Sequence, residues 1–415
     1  MSRLHVAFFN RAFFPEVSAT GQLLTELAEG LARDHGCRVS VVAGMPLGAS
    51  AGVDRGRWGL VIRERFGDIE ILRARGTRWS KRTLAGRITN YLTYFGSACW
   101  AGLQLDHPDV IIALTDPPVI GLAALLAARR FRARLVISYR DLFPEVARLL
   151  DGFRSPVIEW GLHRVNDLLL HQADRVVALG TAMRTRLIQK GAPPERVTII
   201  PDWADCAAIV PAEKSNPFAR AHGLADRFVV MHSGNLGMSQ NLEIVVEAAA
   251  QLRDLADLVM VFVGDGVKKP ALEILVATRG LTNVRFLQYQ PQARLTESFA
   301  TADCFVVSLK PGLAGYITPS KLYGILAAGR PYIAAVDDEC DVARITREYD
   351  CGLVVPPGDA AALASAIRAL YADRARARQL GANARRAAAT FDRPRGVAAY
   401  ATLCRELVDG SGGAR

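Results

Sequence analysis

The chain has 415 residues, half of them apolar, which is enough for two buried cores; its most apolar stretch, Val110 to Ala128, is broken by Asp116, Pro117 and Pro118 and is no transmembrane helix. Seven scattered cysteines without a C-x-x-C pair, seven histidines without ligand spacing and the lack of a D-x-D triplet argue against a disulfide framework and a metal site, and suit a reducing cytosol. Of the net charge of +10, residues 1–200 carry +9, with 27 Lys/Arg against 18 Asp/Glu, and the remainder is nearly balanced at 24 against 23. Such a basic half suits an anionic partner (phospholipid, phosphorylated acceptor or nucleic acid), although an Arg- and Ala-rich coding bias gives the same excess.

The N-terminus runs straight into a strand-like segment, Leu4 to Phe9, without the h-region of a signal peptide. The expectation is a cytoplasmic protein, soluble or peripheral at the inner face of the plasma membrane. A loop follows from Asn10 to Ala19. Thr20 and Gly21 then open an amphipathic helix with Leu23, Leu24, Leu27, Ala28 and Leu31 on one face, and Arg38 to Ala43 forms the next strand. A glycine at the start of such a helix permits close backbone approach to a ligand, which makes Gly21 a candidate contact. Residues 44–80 read as irregular. From 78 to 100, bases and aromatics interleave (Arg78, Trp79, Lys81, Arg82, Arg87, Tyr91, Trp100), with Ile88, Leu92, Phe95 and Cys99 at helical spacing. This segment is either an interfacial helix on an anionic membrane or a domain helix with a solvated basic end. No nucleic-acid-binding signature accompanies the bases, so no nucleic acid partner is expected.

Regular alternation then sets in. Strands are predicted at Val110–Leu114, Leu135–Tyr139, Arg175–Leu179 and Val197–Ile200. Helices lie at Val119–Arg129, Pro156–His171 and Ala182–Lys190. Alternation of this kind means a parallel sheet covered on both faces. Pro201 to Asp205 breaks the rhythm and 211–227 is a polar linker. A second series has strands at Phe228–His232, Leu258–Val263, Val284–Leu287, Cys304–Leu309, Tyr332–Val336 and Leu353–Val355, and helical runs close the chain. The predicted organisation is α/β, with domains at 1–203 and 204–390 and a terminal helical segment at 391–415. Two such domains would face a cleft into which both sets of strand ends point.

Three loops of the second half gather after strands of one sheet: Ser233-Gly234-Asn235-Leu236-Gly237, Gly264-Asp265-Gly266, and the stretch 311–333. In the last, Thr318 can cap a helix, Pro319 suits its first position, and Lys321 stands in its first turn. That is a site for phosphate, or else an ordinary packing helix with a surface lysine. In the first half, Arg140-Asp141-Leu142-Phe143-Pro144-Glu145 follows a buried strand. There Asp141 and Glu145 read either as paired carboxylates for acid/base work or as local ion-pair material.

Taken together and in order, these segments resemble the family 4 glycosyltransferases of GT-B fold, most of all the bacterial exopolysaccharide and O-antigen branch. The resemblance runs from Phe14-Pro15 and Thr20-Gly21 through Arg140 to Glu145 and Ile199 to Asp205. It continues through the two glycine loops to Pro319-Ser320-Lys321 and Ala327-Ala328-Gly329-Arg330-Pro331. It implies two Rossmann-like domains and retaining, metal-independent transfer without a cofactor. A nucleotide-sugar donor, UDP-linked before GDP-linked, would be held by the second domain. A saccharide or polyprenyl-diphosphate-linked acceptor would sit at the first. Gly21, Gly234, Asn235, Gly266, Thr318 and Ser320 would bind donor, with Gly21 and Gly234 offering backbone N–H to phosphate. Lys321 would neutralise the leaving diphosphate, while Arg140 and Asp141 would face sugar or acceptor hydroxyl. The last helix would cross back to the first domain.

The chain departs from that pattern at four positions. Asn235 and Gln240 stand where many members carry Arg and Lys, and Tyr316 and Gly324 stand where many carry glutamates. The rival readings are a hydrolysing nucleotide-sugar epimerase of the same fold and a non-catalytic sugar- or lipid-binding subunit.

Overall fold

The computed structural model describes residues 3–16, 18–46, 59–77, 79, 84–151 and 155–410, with side chains of a few of these left aside. It divides into two compact units: Met1–Glu145 with Phe153–Pro201 and Pro394–Arg415, and Val146–Gly152 with Asp202–Arg393.

The first unit runs β1 (His5–Phe9), α1 (Ala19–Arg33), β2 (Arg38–Gly44), β3 (Val61–Phe66), β4 (Ile69–Ala74), α2 (Leu84–Gly102), β5 (Val110–Leu114), α3 (Ile120–Phe131), β6 (Arg134–Ser138), then, after α4 (Glu145–Asp151), whose residues from Val146 onward belong to the second unit, α5 (Pro156–Gln172), β7 (Arg175–Ala178), α6 (Thr181–Gln189) and β8 (Val197–Ile199). Its sheet has the order β3-β4-β2-β1-β5-β6-β7-β8. β1 and β5 are buried at every residue, which is why each reads as an unbroken apolar run. All pairings are parallel except β3 with β4.

That hairpin corrects the expectation of irregular chain over 44–80. Charges on its exposed edge strand masked the alternation of Ile62 with Arg63 and of Ile69 and Ile71 with Glu70, and Gly67 (φ +55°) turns the chain. Ser18 rather than Thr20 caps α1, accepting from the Gly21 N–H (3.2 Å). α2 turns Tyr94, Ser97, Ala98 and Ala101 inward, whereas Leu92 is exposed; the predicted stripe through Leu92, Phe95 and Cys99 is therefore not the buried one. Arg78, Lys81 and Arg82 lie outside the described residues, as do the side chains of Arg87 and Ile88.

The second unit runs α7 (Pro217–Ala221), β9 (Phe228–Ser233), α8 (Glu243–Gln251), β10 (Leu258–Val263), α9 (Lys269–Thr278), β11 (Val284–Leu287), α10 (Leu295–Thr301), β12 (Cys304–Ser308), α11 (Lys321–Ala327), β13 (Tyr332–Ala335), α12 (Asp341–Glu348), β14 (Gly352–Val355), α13 (Ala360–Ala372) and α14 (Arg374–Ala388). Its sheet is wholly parallel, with the order β11-β10-β9-β12-β13-β14. Alternate residues of β9 feed two cores: Val229 and Met231 pack with Leu322, Tyr323 and Phe305, and Phe228 and Val230 pack with Val246, Phe262 and Leu363. α15 (Arg393–Asp409) follows. Its residues from Pro394 onward belong to the first unit, where Val397 fills the space left by Gly30, and Tyr400 Oη lies 2.9 Å from Ser138 Oγ. Among the described residues no helix is long and apolar enough to cross a membrane.

Candidate active site

In an open parallel sheet, ligands collect where the strand order reverses, because the loops on either side diverge and leave a crevice. In the second unit the chain builds outward from β9 to β10 and β11, then returns to place β12 on the other side of β9. The crevice therefore lies at the carboxyl ends of β9 and β12, between the loop 234–242 and the stretch 309–320.

Glycine makes the first wall. Gly264, just past β10, has φ +146°, and a Cβ there would stand 2.0 Å from the Gly234 carbonyl oxygen. Gly266 has φ +157°, and its Cβ would stand 2.4 Å from the Leu236 oxygen. The two loops thus lie backbone on backbone, a closeness that only residues without Cβ allow. Leu236 N–H donates to Asp265 O (2.8 Å) and Lys268 N–H to Leu236 O (3.0 Å), which lock the pair. The exposed Asn235 side chain folds over Gly237 and Gly266, and Gly237 N–H donates to Gln240 Oε1 (2.8 Å).

Two N–H groups expected to face phosphate are already engaged. Gly234 N–H donates to Val263 O (2.9 Å), and Gly21 N–H is taken by Ser18. Gly21 serves close approach, a Cβ there meeting Ser18 Oγ at 2.9 Å and Glu16 O at 3.1 Å, and Gly234 supplies a φ of +120°.

Lys321 and His232 form the opposite wall. α11 begins at Lys321 with Ser320 as its flanking residue; Ser320 is already in αR geometry and makes no side-chain cap bond. Thr318 is therefore not the cap and Pro319 is not the first helical residue. The chain winds in instead through bonds from Leu322 N–H to Pro319 O (3.2 Å) and Tyr323 N–H to Ser320 O (3.3 Å). Gly312 and Gly315 (φ +79° and +78°) bend the preceding loop, and Gly312 N–H is tied to Asp337 Oδ2 (2.8 Å). The Lys321 ammonium lies 2.9 Å from His232 Nε2 and 3.9 Å from where a Cβ on Gly234 would stand.

Burial governs both side chains electrostatically. Lys321 keeps some exposed surface, yet the protein packed around it lowers its pKa to about 7. His232, 1% exposed, is held well below the usual imidazole value by burial first and by the Lys321 charge second, with backbone groups of Asn235 and Val306 opposing. His232 is thus a neutral acceptor, and Lys321 is a cation poised to gain or lose its proton near neutrality. Sequence reading placed Lys321 and missed His232, although a polar residue ending the apolar run Phe228 to Met231, directly before Ser233-Gly234, was the available signal.

The first unit has its own reversal between β1 and β5. Arg11, after β1, bonds Glu16 (3.1 Å) and stands 3.6 Å from Asp116, which follows β5. Burial, and next to it the Glu16 charge, raise the Asp116 pKa against the opposing pull of Arg11. Buried Tyr94 lies within the field of this group and its phenol is shifted upward, chiefly by burial. None of these residues was a sequence candidate. Arg140 and Asp141 stand at the end of β6, with Arg140 N–H donating to Thr115 Oγ1 (3.0 Å). Glu145 is ion-paired with Lys190. Among the described residues no cluster of three or more His, Cys, Asp or Glu side chains is placed to hold a metal ion.

Comparison with known proteins follows this division. A model of the glycosyl transferase 4-like domain matches residues 19–203, and a model of glycosyl transferases group 1 matches residues 216–387. WcaI of Escherichia coli K12, assigned as a colanic acid biosynthesis glycosyl transferase, is 31% identical over 203 residues, 48% of this chain and 50% of WcaI. WbjE of Pseudomonas aeruginosa, assigned as a glycosyltransferase, is 28% identical over 266 residues, 62% of this chain and 65% of WbjE. The chain thus matches half to just under two thirds of the length of these curated relatives. Among solved structures, HepE of Anabaena, crystallised with UDP, superposes with a TM-score of 0.74 at 18% identity, over 97% of this chain and all of HepE. The glycosyltransferase WaaG of lipopolysaccharide biosynthesis superposes with a TM-score of 0.70 at 17% identity, over 96% of this chain and 99% of WaaG. The two family models together take in most of the sequence, and the chain belongs to the family 4 glycosyltransferases, with two Rossmann-like units in the GT-B fold.

Proposed function

We propose that the chain is a retaining glycosyltransferase of surface polysaccharide biosynthesis. It moves a sugar from a nucleotide diphosphate, UDP-linked before GDP-linked, to a saccharide or polyprenyl-diphosphate-linked acceptor, without a metal or other cofactor. The observation that carries this reading is the crevice of the second unit, where Lys321 stands against the Gly234 loop at the reversal of strand order. Negative charge grows on the leaving diphosphate as the glycosidic bond breaks, so a fixed cation in a partly desolvated crevice favours the transition state over the ground state. A relative of the same fold crystallised with UDP supports the nucleotide class. Thr318, Ser320, Asn235 and Gly266 line the same crevice and shape the donor site, and the Arg140–Asp141 pair serves sugar or acceptor.

A thermal-shift panel of UDP-, GDP- and ADP-sugars tests the donor. The correct nucleotide at a hundredfold excess over Kd stabilises the folded state by about 2.7 kcal/mol. Silence across the panel refutes donor binding. Transfer in the presence of EDTA tests metal independence, and an epimerised sugar formed without acceptor would favour the epimerase. Peripheral membrane attachment belongs to the same proposal, since α2 exposes Tyr91, Leu92 and Trp100. Flotation with anionic liposomes at low salt checks it, and no flotation removes it.

A further inference from the structure

We propose that His232 is the positioning residue for Lys321, and that the pair takes up one proton from solvent when the nucleotide diphosphate binds. The inference rests on the donor site described above and adds a residue and a proton to it.

His232, the penultimate residue of β9, is wholly buried, its ring beside that of Phe262 (centroids 6.1 Å apart), the paired residue of β10. Nε2 meets the Lys321 amine at 2.9 Å, whereas Nδ1 is buried and makes no well-formed hydrogen bond, the backbone of Asn235 and Val306 lying close enough only to oppose the fall in the ring's pKa. A buried polar atom left unpaired costs about 1–3 kcal/mol, so packing alone gives no reason for an imidazole where Phe or Leu would fill the space. Its other nitrogen supplies the reason. A neutral imidazole is an acceptor at Nε2 and carries its proton on Nδ1. It therefore holds the amine of Lys321 in one direction, in either protonation state, beside the loop where the diphosphate must lie.

The surroundings isolate the pair. Among the described residues, Lys321 is the charged side chain that shifts His232, and burial is what lowers Lys321. β10 presents Phe262 and β12 presents Val306, and neither titrates. The charged groups on the adjoining segments are Asp265 after β10, Lys310 after β12, and the Glu243–Lys268 ion pair, and they shift neither member. Without a counter-ion the empty crevice sheds the lysine proton near neutrality. An entering diphosphate supplies the missing negative charge, so the Nζ lone pair takes a proton from the buffer and the ammonium forms on the ligand. Both phosphoryl groups of a nucleotide sugar are diesterified and stay singly charged from pH 6 to 9, so the proton belongs to the protein.

Competitive labelling of Lys321 with acetic anhydride, read by peptide mass spectrometry, measures its titration without any ligand. The expected midpoint is about 7 in the wild type. Loss of a hydrogen bond to the charged amine moves it down by about 1–2 units in His232→Leu, and His232→Gln, which keeps an acceptor, returns it most of the way. A midpoint near 10.5, or one that His232→Leu leaves in place, overturns the pair. Calorimetry with UDP-glucose, in buffers of different ionisation enthalpy, should show uptake of about 0.9 proton at pH 8 and about 0.1 at pH 6, with affinity about tenfold weaker at pH 8. His232→Leu should weaken pH 8 binding by about a further 10- to 100-fold. Binding without proton uptake, or a His232→Leu loss equal at pH 6 and 8, overturns the proton coupling and leaves the donor reading standing. Failure of both UDP-glucose and GDP-glucose to bind at any pH, with the labelling results as stated, takes down the donor reading and the coupling but not the pair.

Discussion

Gly264→Ala is the sharpest test of how the second unit builds its crevice. Two costs arise at that position. The backbone sits at φ +146°, a region reserved almost wholly for glycine, where a side chain costs about 1–3 kcal/mol. The new Cβ would also lie 2.0 Å from Gly234 O and 2.9 Å from Gly234 C. Contact without overlap requires the carbonyl to retreat by about 1 Å in a closely packed interior. Gly234 N–H is bonded to Val263 O and the next turn to Asp265 O, so the retreat breaks at least one buried backbone bond, at about 1–3 kcal/mol. The sum is about 2–6 kcal/mol. Gly312→Ala is the control, since Gly312 also has positive φ (+79°) but open space where its Cβ would stand; it should cost only about 1–2 kcal/mol. Urea unfolding followed by amide exchange of β9 and β10 measures the difference, and UDP-glucose titration measures the site. A displacement of about 1 Å at the Gly234 loop should weaken binding on the order of a hundredfold, while Gly312→Ala stays within about threefold. A Gly264→Ala protein as stable as the Gly312→Ala control, with unchanged affinity, would refute the close-approach argument.

Lys321→Met should leave the fold intact and lower turnover by about 10²–10³-fold, as removal of a charge-stabilising donor does; near-normal transfer by the variant would end the leaving-group role. The same variant should flatten a pH dependence of stability. The unfolded chain holds the Lys321 proton up to about 10.4 and the folded chain releases it near 7, so between these values the unfolded state binds more protons and wild-type stability rises with pH. Urea midpoints at pH 7 and pH 9 should therefore converge in Lys321→Met, and an unchanged pH slope would contradict the buried-amine account. In the first unit, Arg73 is 1% exposed and donates to Glu64 (2.9 Å), Gly44 O (3.3 Å) and Phe14 O. Arg73→Met strips all three of their donor and should destabilise the protein by about 3–5 kcal/mol by denaturant unfolding, with a loss under 1 kcal/mol counting against the argument.

Much of this architecture was legible because parallel strands buried on both faces announce themselves as continuous apolar runs. Phe228 to Met231 and Leu258 to Val263 are two such runs, each followed by a glycine loop. The β3–β4 hairpin was not legible because an edge strand carries charges on its open face, and Arg63, Glu64 and Arg65 outweighed Ile62 in the reading. The start of α11 was misplaced because Thr-Pro has the chemistry of a helix start, whereas the chain there takes two tight turns before the first α-helical residue. At the site, Lys321 was found by its odd placement after Pro-Ser. His232, Arg11 and Asp116 stayed hidden because their significance is a matter of meeting. His232 lies 89 positions from Lys321, and Asp116 lies 105 from Arg11. Only strand order brings each pair to one crevice.

The four departures from the family pattern gain a single physical explanation from His232 and Lys321. The chain lacks two bases, at Asn235 and Gln240, and two acids, at Tyr316 and Gly324. Removing either kind alone would leave the other's charges in the crevice without their counterparts, whereas removing both keeps the balance. Gln240 now caps Gly237, and Gly324 lets α11 close on Phe299, where a Cβ would stand 3.0 Å from the ring. In such a crevice one amine held by a neutral imidazole suffices. It can rest uncharged when the site is empty, which avoids the desolvation cost, and it becomes cationic against the diphosphate, where the low local dielectric makes the attraction stronger than in water. A permanently charged Arg at 321 could not rest in that way. Lys321→Arg should therefore lose the proton uptake on binding UDP-glucose and destabilise the empty protein, even if it retains a cation for the phosphate. Unaltered stability together with wild-type proton uptake in that variant would show that the resting charge state of residue 321 does not matter.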